Sequence, residues 1–213
     1  MKIVKYSLGQ LQANCYLLVE DDKCLIIDPG DEASFILEEL QRRRLKLIGM
    51  LATHGHFDHI MATGEIQLSV NVPLYLNKKD QFLTDRTKET AEHFLDFKQT
   101  ILPIRNIKNL DIKNSLNLPA GRQELENFKL KIIHTPGHTP GSVCFYFKEE
   151  NALFTGDTLF KGAVGRFDFS YCSKEDLKKS LEILFKFPKD VVVYPGHGEK
   201  TLIEKEKNLL LQL

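Results

Sequence analysis

The sequence predicts an α/β fold in which short strands alternate with helices along all 213 residues. Short β-like runs bounded by glycine, proline and acidic turn residues are typical of strands, and the segments between them have the apolar spacing of amphipathic helices. This alternation occurs twice, in halves of about 1–110 and 111–213. We expect the halves to form a single domain over residues 1–213, because polar residues at strand ends in both halves must converge on one site.

The first half is predicted to begin as an antiparallel sheet. Runs at residues 3–8, 15–19 and 24–28 are separated by turn residues, which is typical of consecutive antiparallel strands. Residues 33–44 carry apolar side chains on one face only and predict an amphipathic helix. Residues 47–52 are almost continuously apolar, as expected of a strand buried on both faces. A helix beginning near Asp58, a strand at 72–76 and a broken helix at 79–97 complete this half.

The second half repeats the alternation more loosely. Strands are predicted at residues 128–133, 142–147 and 152–155, and another at 191–194. Ser173 and Asp176 resemble a capping box at the start of a helix that Pro188 ends. A final helix is predicted from about residue 202. Residues 114–123 have the least regular pattern and predict a surface loop between the halves.

The composition excludes several classes of function. Lys and Arg number 29 and Asp and Glu also number 29, so no overall field would draw the chain to nucleic acid or to an anionic membrane. No window approaches the roughly 18 apolar residues of a membrane span, and no basic leader precedes an apolar stretch. The four cysteines occur singly, which favours reduced, mostly buried thiols. We therefore expect a cytoplasmic protein that binds neither nucleic acid nor membrane.

Three histidines and an aspartate are concentrated directly after the predicted buried strand. The segment at 53–59 reads Thr-His-Gly-His-Phe-Asp-His, and imidazole and carboxylate groups are ligands for metals such as zinc. Side chains two apart in a turn can converge, so His54 and His56 could hold one ion, and Asp58 with His59 a second. The alternative is a polar helix start in which Asp58 is the N-cap and the histidines are merely exposed.

Three further predicted strand ends carry the same residue types. His138 lies in a loop rich in proline and glycine, Asp157 ends a strand, and His197 ends another strand between glycines. In layered α/β folds such strand ends are where sites are built. Of the two remaining histidines, His93 is expected to be a solvated helix residue. His134 is expected either to hydrogen-bond a metal ligand or to pack without a role in the site.

The chain resembles the metallo-β-lactamase superfamily, and within it the glyoxalase II-like (hydroxyacylglutathione hydrolase-like) enzymes. The resemblance lies in Asn14-Cys15-Tyr16, Asp28-Pro29-Gly30 and the segments 53–59, 135–142, 156–160, 165–169 and 195–198. It implies a four-layer αβ/βα sandwich of two mixed sheets flanked by helices. It also implies that a first metal takes His54, His56 and His138, that a second takes Asp58, His59 and His197, and that Asp157 bridges them.

The resemblance is to the short, single-domain branch of that group. The chain ends at Leu213, so the C-terminal helical domain that binds substrate in full-length glyoxalase II is not expected. Arg166 stands where glyoxalase II has a substrate-contacting lysine, whereas Asp168 and Glu199 stand where it tends to have tyrosines. Arg166 is therefore the candidate for binding a substrate carboxylate, and a surface salt bridge is the alternative.

The sequence thus predicts a metal-dependent thioester hydrolase, acting on S-lactoylglutathione or a similar thioester to release lactate and glutathione. Two divalent ions, zinc first with iron or manganese as alternatives, would hold a bridging hydroxide that Asp58 orients. A thiolate leaves unprotonated because its pKa is about 8.5, whereas an amide nitrogen needs an acid. The expected partner is a small-molecule thioester, and the expected assembly is a monomer or homodimer. The alternatives are a mononuclear iron persulfide dioxygenase, another hydrolase of the superfamily such as a nuclease, and a metal-binding protein without turnover.

Overall fold

The computed structural model describes residues 1–96, 100–110 and 128–212, and its first half builds a six-stranded sheet. The strands are β1 (Lys2–Leu8), β2 (Ala13–Glu20), β3 (Lys23–Ile27), β4 (Lys46–Leu51), β5 (Leu74–Leu76) and β6 (Ile107–Asn109), and they neighbour one another in that order. The first three are antiparallel and the last four pair in parallel, so the sheet is mixed. Helices connect the parallel strands because such pairs need a crossover.

The second half builds a five-stranded sheet and a small hairpin. The sheet contains β7 (Lys131–His134), β8 (Val143–Phe147), β9 (Ala152–Gly156), β12 (Val192–Pro195) and β13 (Thr201–Leu202), in the order β13-β12-β9-β8-β7. In the sequence, β9 is followed by the two strands of the hairpin, β10 (Leu159–Phe160) and β11 (Ala163–Val164). The hairpin forms a separate two-stranded sheet. Strands β9 and β12 are parallel and the other pairs antiparallel.

Seven α-helices lie in the described part of the chain. They are α1 (Ala33–Arg42), α2 (Phe57–Ile60), α3 (Thr63–Ser69), α4 (Gln81–Thr84), α5 (Thr87–Leu95), α6 (Lys174–Leu184) and α7 (Ile203–Glu206). Short 3-10 helices at Lys78–Asp80 and Lys207–Gln212 adjoin α4 and α7. Over the same residues, every helix is too short or too polar to span a membrane.

The helices and sheets are arranged in four layers, with a buried apolar cluster between each pair of adjacent layers. Large side chains such as Tyr16, Phe145 and Phe154 fill the space between the inner faces of the two sheets. The outer face of the first sheet packs on α1 and α3, for example through Ile36. The outer face of the second sheet packs on α6, for example through Leu181. The order helix, sheet, sheet, helix confirms the predicted αβ/βα sandwich, since burying both faces of each sheet requires a layer on either side.

The predicted elements differ from the observed ones mainly at their ends. Helix α6 begins as predicted, with the Ser173 hydroxyl accepting a hydrogen bond from the Asp176 N–H, but its regular part ends at Leu184. Backbone hydrogen bonds of Phe185 and Phe187 continue it as turns towards Pro188. The short strands β6, β10, β11 and β13 were not predicted, because two or three residues carry no readable alternation. The predicted surface loop at 114–123 lies outside the described residues.

Candidate metal centre

The predicted metal-site residues lie at one edge of the sandwich, with Asp58 and His59 in helix α2 and the others in four loops. One loop leads from β4 into α2, and the others follow β7, β9 and β12. The loops from the two sheets are fastened to each other, because the Val143 N–H donates to the Thr53 carbonyl at 2.8 Å. Ala13 of β2 also forms an isolated bridge with His197. The site is therefore held by backbone contacts that cross between the halves.

The structure brings all seven predicted metal-site residues into one cluster. They form three overlapping groups whose ligand atoms lie within 4.8 Å of one another: His54, His56 and His138; Asp58, His59 and His197; and His54, His59 and Asp157. The first two groups have the same membership as the two metal sites that the resemblance implies. Each group combines residues from both halves of the chain.

The two main groups are close-packed and share one carboxylate. In the first, His56 Nδ1 lies 3.0 Å from His54 Nε2 and 3.0 Å from His138 Nε2. Asp157 stands between the groups, with Oδ1 3.4 Å from His59 Nε2 and Oδ2 3.6 Å from His138 Nε2. Asp157 is thus placed to contact both groups at once.

The second group sits on the more open side of the cluster. His197 Nε2 lies 3.3 Å from Asp58 Oδ2 and 3.3 Å from His59 Nε2. His59 is fully buried, whereas 29 % of the His197 side chain is exposed. Solvent and small molecules can therefore approach the cluster beside His197.

These residues fit a pair of metal ions. Asp157 Oδ1 is buried and accepts no hydrogen bond, a state that is costly unless a cation lies nearby. The facing nitrogens of His54, His56 and His138 converge on one another, which ordinary packing does not favour but shared coordination does. Nitrogen and oxygen donors suit zinc, iron and manganese alike. The cluster therefore supports a dinuclear metal site. The ligand types do not distinguish among these metals.

The charges in the cluster also favour a bound cation. Burial alone would lower the pKa of His59, but Asp58, Asp157 and Asp28 outweigh it and raise that pKa to about 10. Burial and the neighbouring imidazoles hold the pKa of His54 well below its usual value. The carboxylates thus favour a positive charge beside them. His54 stays neutral, and a neutral imidazole is the form of histidine that coordinates a metal ion.

Each of the five clustered histidines has a partner for the ring nitrogen that faces away from the others. His59 Nδ1 donates to Asp28 Oδ2 at 3.0 Å, and His54 Nδ1 donates to the Thr53 hydroxyl at 3.0 Å. The partners of the remaining three are the Tyr171 hydroxyl for His56, the Arg166 carbonyl for His138 and the Leu11 carbonyl for His197. Such bonds fix the tautomer and the orientation of each ring.

Asp28 supports the site in a role that the sequence did not predict, although it lies in one of the segments that carry the resemblance. It is 1 % exposed, and besides His59 it accepts the Thr53 N–H and the Thr53 hydroxyl, each at 2.7 Å. Asp28 therefore orients His59 directly and His54 through Thr53. The available signal was its place at the end of β3, before Pro29-Gly30.

Asp80 is a second missed residue, and it joins two ligand loops. This fully buried carboxylate accepts the Gly55 N–H at 2.9 Å, between His54 and His56. It also accepts the Thr139 hydroxyl at 2.7 Å and the Gly141 N–H at 2.6 Å, in the loop that carries His138. Asp80 thus holds together the loops of the first group, and it does not contact the second.

Replacing Asp80 with asparagine is expected to weaken metal binding at the first group selectively. The amide nitrogen of the asparagine would face N–H or O–H donors and could not accept their hydrogen bonds. Loss of a hydrogen bond that positions a metal ligand typically lowers metal affinity about 10–100-fold. Elemental analysis after dialysis against a weak chelator should show close to one ion per chain, against two for the unchanged protein. The exposed Asp190→Asn variant is the control, and equal loss from both groups would contradict a role confined to the first.

Arg166 and the two remaining histidines lie outside the cluster. The Arg166 guanidinium pairs with Asp168 through two hydrogen bonds of 2.7 Å, which is the predicted alternative of a surface salt bridge. His93 is exposed on α5, as predicted. His134 Nε2 donates to the Pro140 carbonyl at 3.0 Å, so it braces the loop that carries His138 and contacts no ligand residue by that bond.

Comparison with known proteins agrees with this geometry. The family model described as "Metallo-beta-lactamase superfamily" matches residues 8–197. The hydroxyacylglutathione hydrolase GloC of Haemophilus influenzae is 36% identical over 210 residues, covering 97% of this chain and 95% of that protein. The BLEG-1 B3 metallo-beta-lactamase has a TM-score of 0.86 at 30% identity, with 97% of each chain covered.

A further solved structure bears on the metal content. TTHA1623, in a di-iron-bound form, has a TM-score of 0.83 at 32% identity, with 96% of each chain covered. That protein therefore holds two metal ions on a closely similar fold. GloC is named as a hydroxyacylglutathione hydrolase, whereas BLEG-1 is named as a metallo-beta-lactamase. The chain belongs to the metallo-beta-lactamase superfamily and is one of its metallo-hydrolases.

Proposed function

We propose that this protein hydrolyses thioesters of the S-acyl glutathione type, such as S-lactoylglutathione, to the free acid and the thiol. The observation that carries the proposal is the pair of ligand groups joined by Asp157, an arrangement suited to hydrolysis without a protein nucleophile. The 36% identity to GloC over nearly the whole chain supports the thioester class. The ligands proposed are His54, His56 and His138 for one ion, Asp58, His59 and His197 for the other, and Asp157 for both.

Two bound ions would supply an acidified water and a polarised substrate carbonyl. Asp58 orients the attacking water and takes its proton. Burial alone would raise the pKa of Asp58, but His59 and His197 outweigh it and hold the pKa below its usual value. Asp58 is therefore a carboxylate at neutral pH, ready to accept a hydrogen bond.

The groups beside the cluster favour a leaving group that needs no proton. Burial raises the pKa of Tyr171 to about 12, and its hydroxyl is already bonded to His56 at 2.8 Å. The hydrogen bond from Arg166 lowers the pKa of Asp168 to about 2, so this carboxyl carries no proton to give. A thiolate, with a pKa of about 8.5, departs without an acid. A thioester therefore suits the site better than the amide bond of a β-lactam.

Arg166 is the proposed contact for a substrate carboxylate. Its present partner Asp168 is exposed, and exposed pairs contribute only about 0–1 kcal/mol, so a substrate carboxylate could replace it at little cost. Zinc is the proposed metal, with iron or manganese as alternatives that the di-iron structure of TTHA1623 keeps open. We further propose that the protein acts as a single domain, as a monomer or homodimer, on a small-molecule thioester in the cytoplasm.

The proposal is tested by measuring metal content and turnover on one purified sample. We expect two ions per chain and release of thiol from S-lactoylglutathione, and a His59→Ala variant should lose the ion of the second group together with thiol release. The control is Lys178→Ala, because Lys178 is exposed on α6 and lies outside the cluster. Three outcomes would overturn the proposal: cleavage of nitrocefin in preference to thioesters, one iron with oxygen uptake on glutathione persulfide, or bound metal without turnover.

A further inference from the structure

Four aromatic side chains form a continuous surface next to the metal centre. They are Phe82, Phe94, Phe169 and Tyr171, here called the aromatic wall. Ring centroids of Phe82 and Tyr171 lie 5.5 Å apart, those of Tyr171 and Phe169 lie 5.4 Å apart in a stacked arrangement, and those of Phe169 and Phe94 lie 6.4 Å apart. These spacings are typical of interacting rings. The wall is built from α4, α5 and the segment before α6.

The aromatic wall begins at a ligand residue. The ring of His56 lies 5.9 Å from the rings of both Phe169 and Tyr171, and its Nε2 donates to the Tyr171 hydroxyl at 2.8 Å. A substrate whose carbonyl lies at the first group of ligands would therefore be adjacent to Phe169 and Tyr171.

The outer part of the aromatic wall is exposed although it is apolar. Phe82 is 39% exposed and Phe94 is 46% exposed, and they stand on two different helices. A contiguous exposed apolar surface beside a polar site is typical of a binding surface. Phe94 is also backed by the buried ring of Phe57, stacked at 5.9 Å, so the surface is supported from beneath.

Two arginines near the aromatic wall, Arg166 and Arg86, are each paired with a carboxylate in the structure. The Arg166 guanidinium lies 4.0 Å from the centre of the Phe169 ring, but it is bonded to Asp168. Arg86, which lies close enough to Tyr171 to influence it, is bonded to Glu89. The wall therefore presents ring surface to a ligand more than net charge.

We propose that the aromatic wall binds an apolar, ring-sized group of the substrate while the reactive carbonyl lies at the metal centre. This inference rests on the proposed thioester hydrolysis and narrows its substrate class to thioesters that carry such a group. The group can belong to the acyl side or to the thiol side, since both flank the carbonyl. Stacking on rings held in place favours flat apolar groups over short polar ones.

Binding is tested first with thioethers, which resemble the substrates but cannot be hydrolysed. Calorimetry on the metal-loaded protein is expected to show S-benzylglutathione binding at least tenfold more tightly than S-methylglutathione. The double variant Phe82→Ala, Phe94→Ala should lose most of this difference. Ile183→Ala is the matched control, because Ile183 is 42% exposed on α6 and lies outside the wall.

Turnover then separates the two sides of the substrate. S-phenylacetylglutathione is compared with S-acetylglutathione for the acyl side, and the acetyl thioester of benzyl mercaptan with that of N-acetylcysteamine for the thiol side. We expect a kcat/KM at least tenfold higher for the aromatic member of one pair, mainly through KM. The double variant should lower that ratio towards one, whereas the Ile183→Ala control should leave both the ratio and kcat for S-acetylglutathione unchanged.

The two proposals fail in different ways. If S-acetylglutathione is cleaved and neither the thioethers nor the thioester pairs show a preference for a ring, the aromatic wall has no role in binding and thioester hydrolysis stands. If S-benzylglutathione binds preferentially and no thioester is cleaved, the wall binds a ring but the thioester proposal is wrong. A preference that the double variant retains would also overturn the role of the wall.

Discussion

Replacing Gly196 with alanine is expected to remove both metal binding and activity. A Cβ atom at this position would lie 2.1 Å from Asp157 Oδ1 and 2.7 Å from His59 Cε1, far inside contact distance. The backbone cannot readily move away, because the Gly196 N–H donates to the Gly156 carbonyl at 2.8 Å and the Asn14 N–H donates to the Gly196 carbonyl at 2.7 Å. We therefore expect Asp157 and His59 to be displaced, with activity reduced by about 10²-fold or more.

The measurement is metal content by elemental analysis together with thiol release, on a variant whose folding is checked by circular dichroism. Gly198→Ala is the matched control. Gly198 has a φ of +73°, but a Cβ there would meet nothing within 4 Å. The Gly198→Ala substitution should lower the free energy of unfolding by about 1 kcal/mol through backbone strain and leave the metal content unchanged. Full metal loading of the Gly196 variant would show that the site tolerates displacement of Asp157.

Replacing Asp28 with asparagine is expected to weaken metal binding about 10–100-fold. The Asp28 carboxylate accepts three hydrogen bonds, two from Thr53 and one from His59. In the asparagine variant the side-chain NH2 group would face at least one of these N–H or O–H donors and could not accept its hydrogen bond. Its φ is +54°, a conformation that aspartate and asparagine both tolerate, so the backbone should be preserved. The loss would then come from misorientation of His59 and His54.

This change is measured by competition between the protein and a chelating dye for zinc. Asp21→Asn serves as the control, because Asp21 has the same φ of +54° but is exposed in the turn between β2 and β3. The control should bind metal like the unchanged protein. An Asp28→Asn variant with full affinity would mean that the orientation of His59 depends on its packing and not on the carboxylate.

The sequence was informative about the metal cluster because its residues are marked locally. His54, His56 and His59 follow a continuously apolar strand, and His138 and His197 stand among prolines and glycines that shape tight loops. The alternation of strands and helices likewise follows from local periodicity, whereas the four-layer arrangement was implied by the resemblance to the superfamily. The local pattern therefore marked these positions as candidate ligands, while their division between two metals was implied by the resemblance to the superfamily.

The supporting contacts could not be predicted, because they depend on residues far apart along the chain. Asp80 forms a hydrogen bond with Thr139, which is 59 residues away in the sequence. The Tyr171 hydroxyl forms one with His56, which is 115 residues away. Neither residue stands in a motif, and each acts only once the two sheets are packed. Phe82 and Phe94 likewise lie in no motif, and they come to lie beside the centre only when α4 and α5 pack there.

The position of the centre between the two sheets gives it a mechanical consequence. All four cysteines are free, so no covalent cross-link joins the halves. An ion held by both His59 and His197 would close a loop of 138 residues, much as a disulfide does in a secreted protein. Loss of the ion would reopen that loop and return conformational entropy to the unfolded chain. The metals would therefore act as reversible cross-links between the two halves of the sandwich.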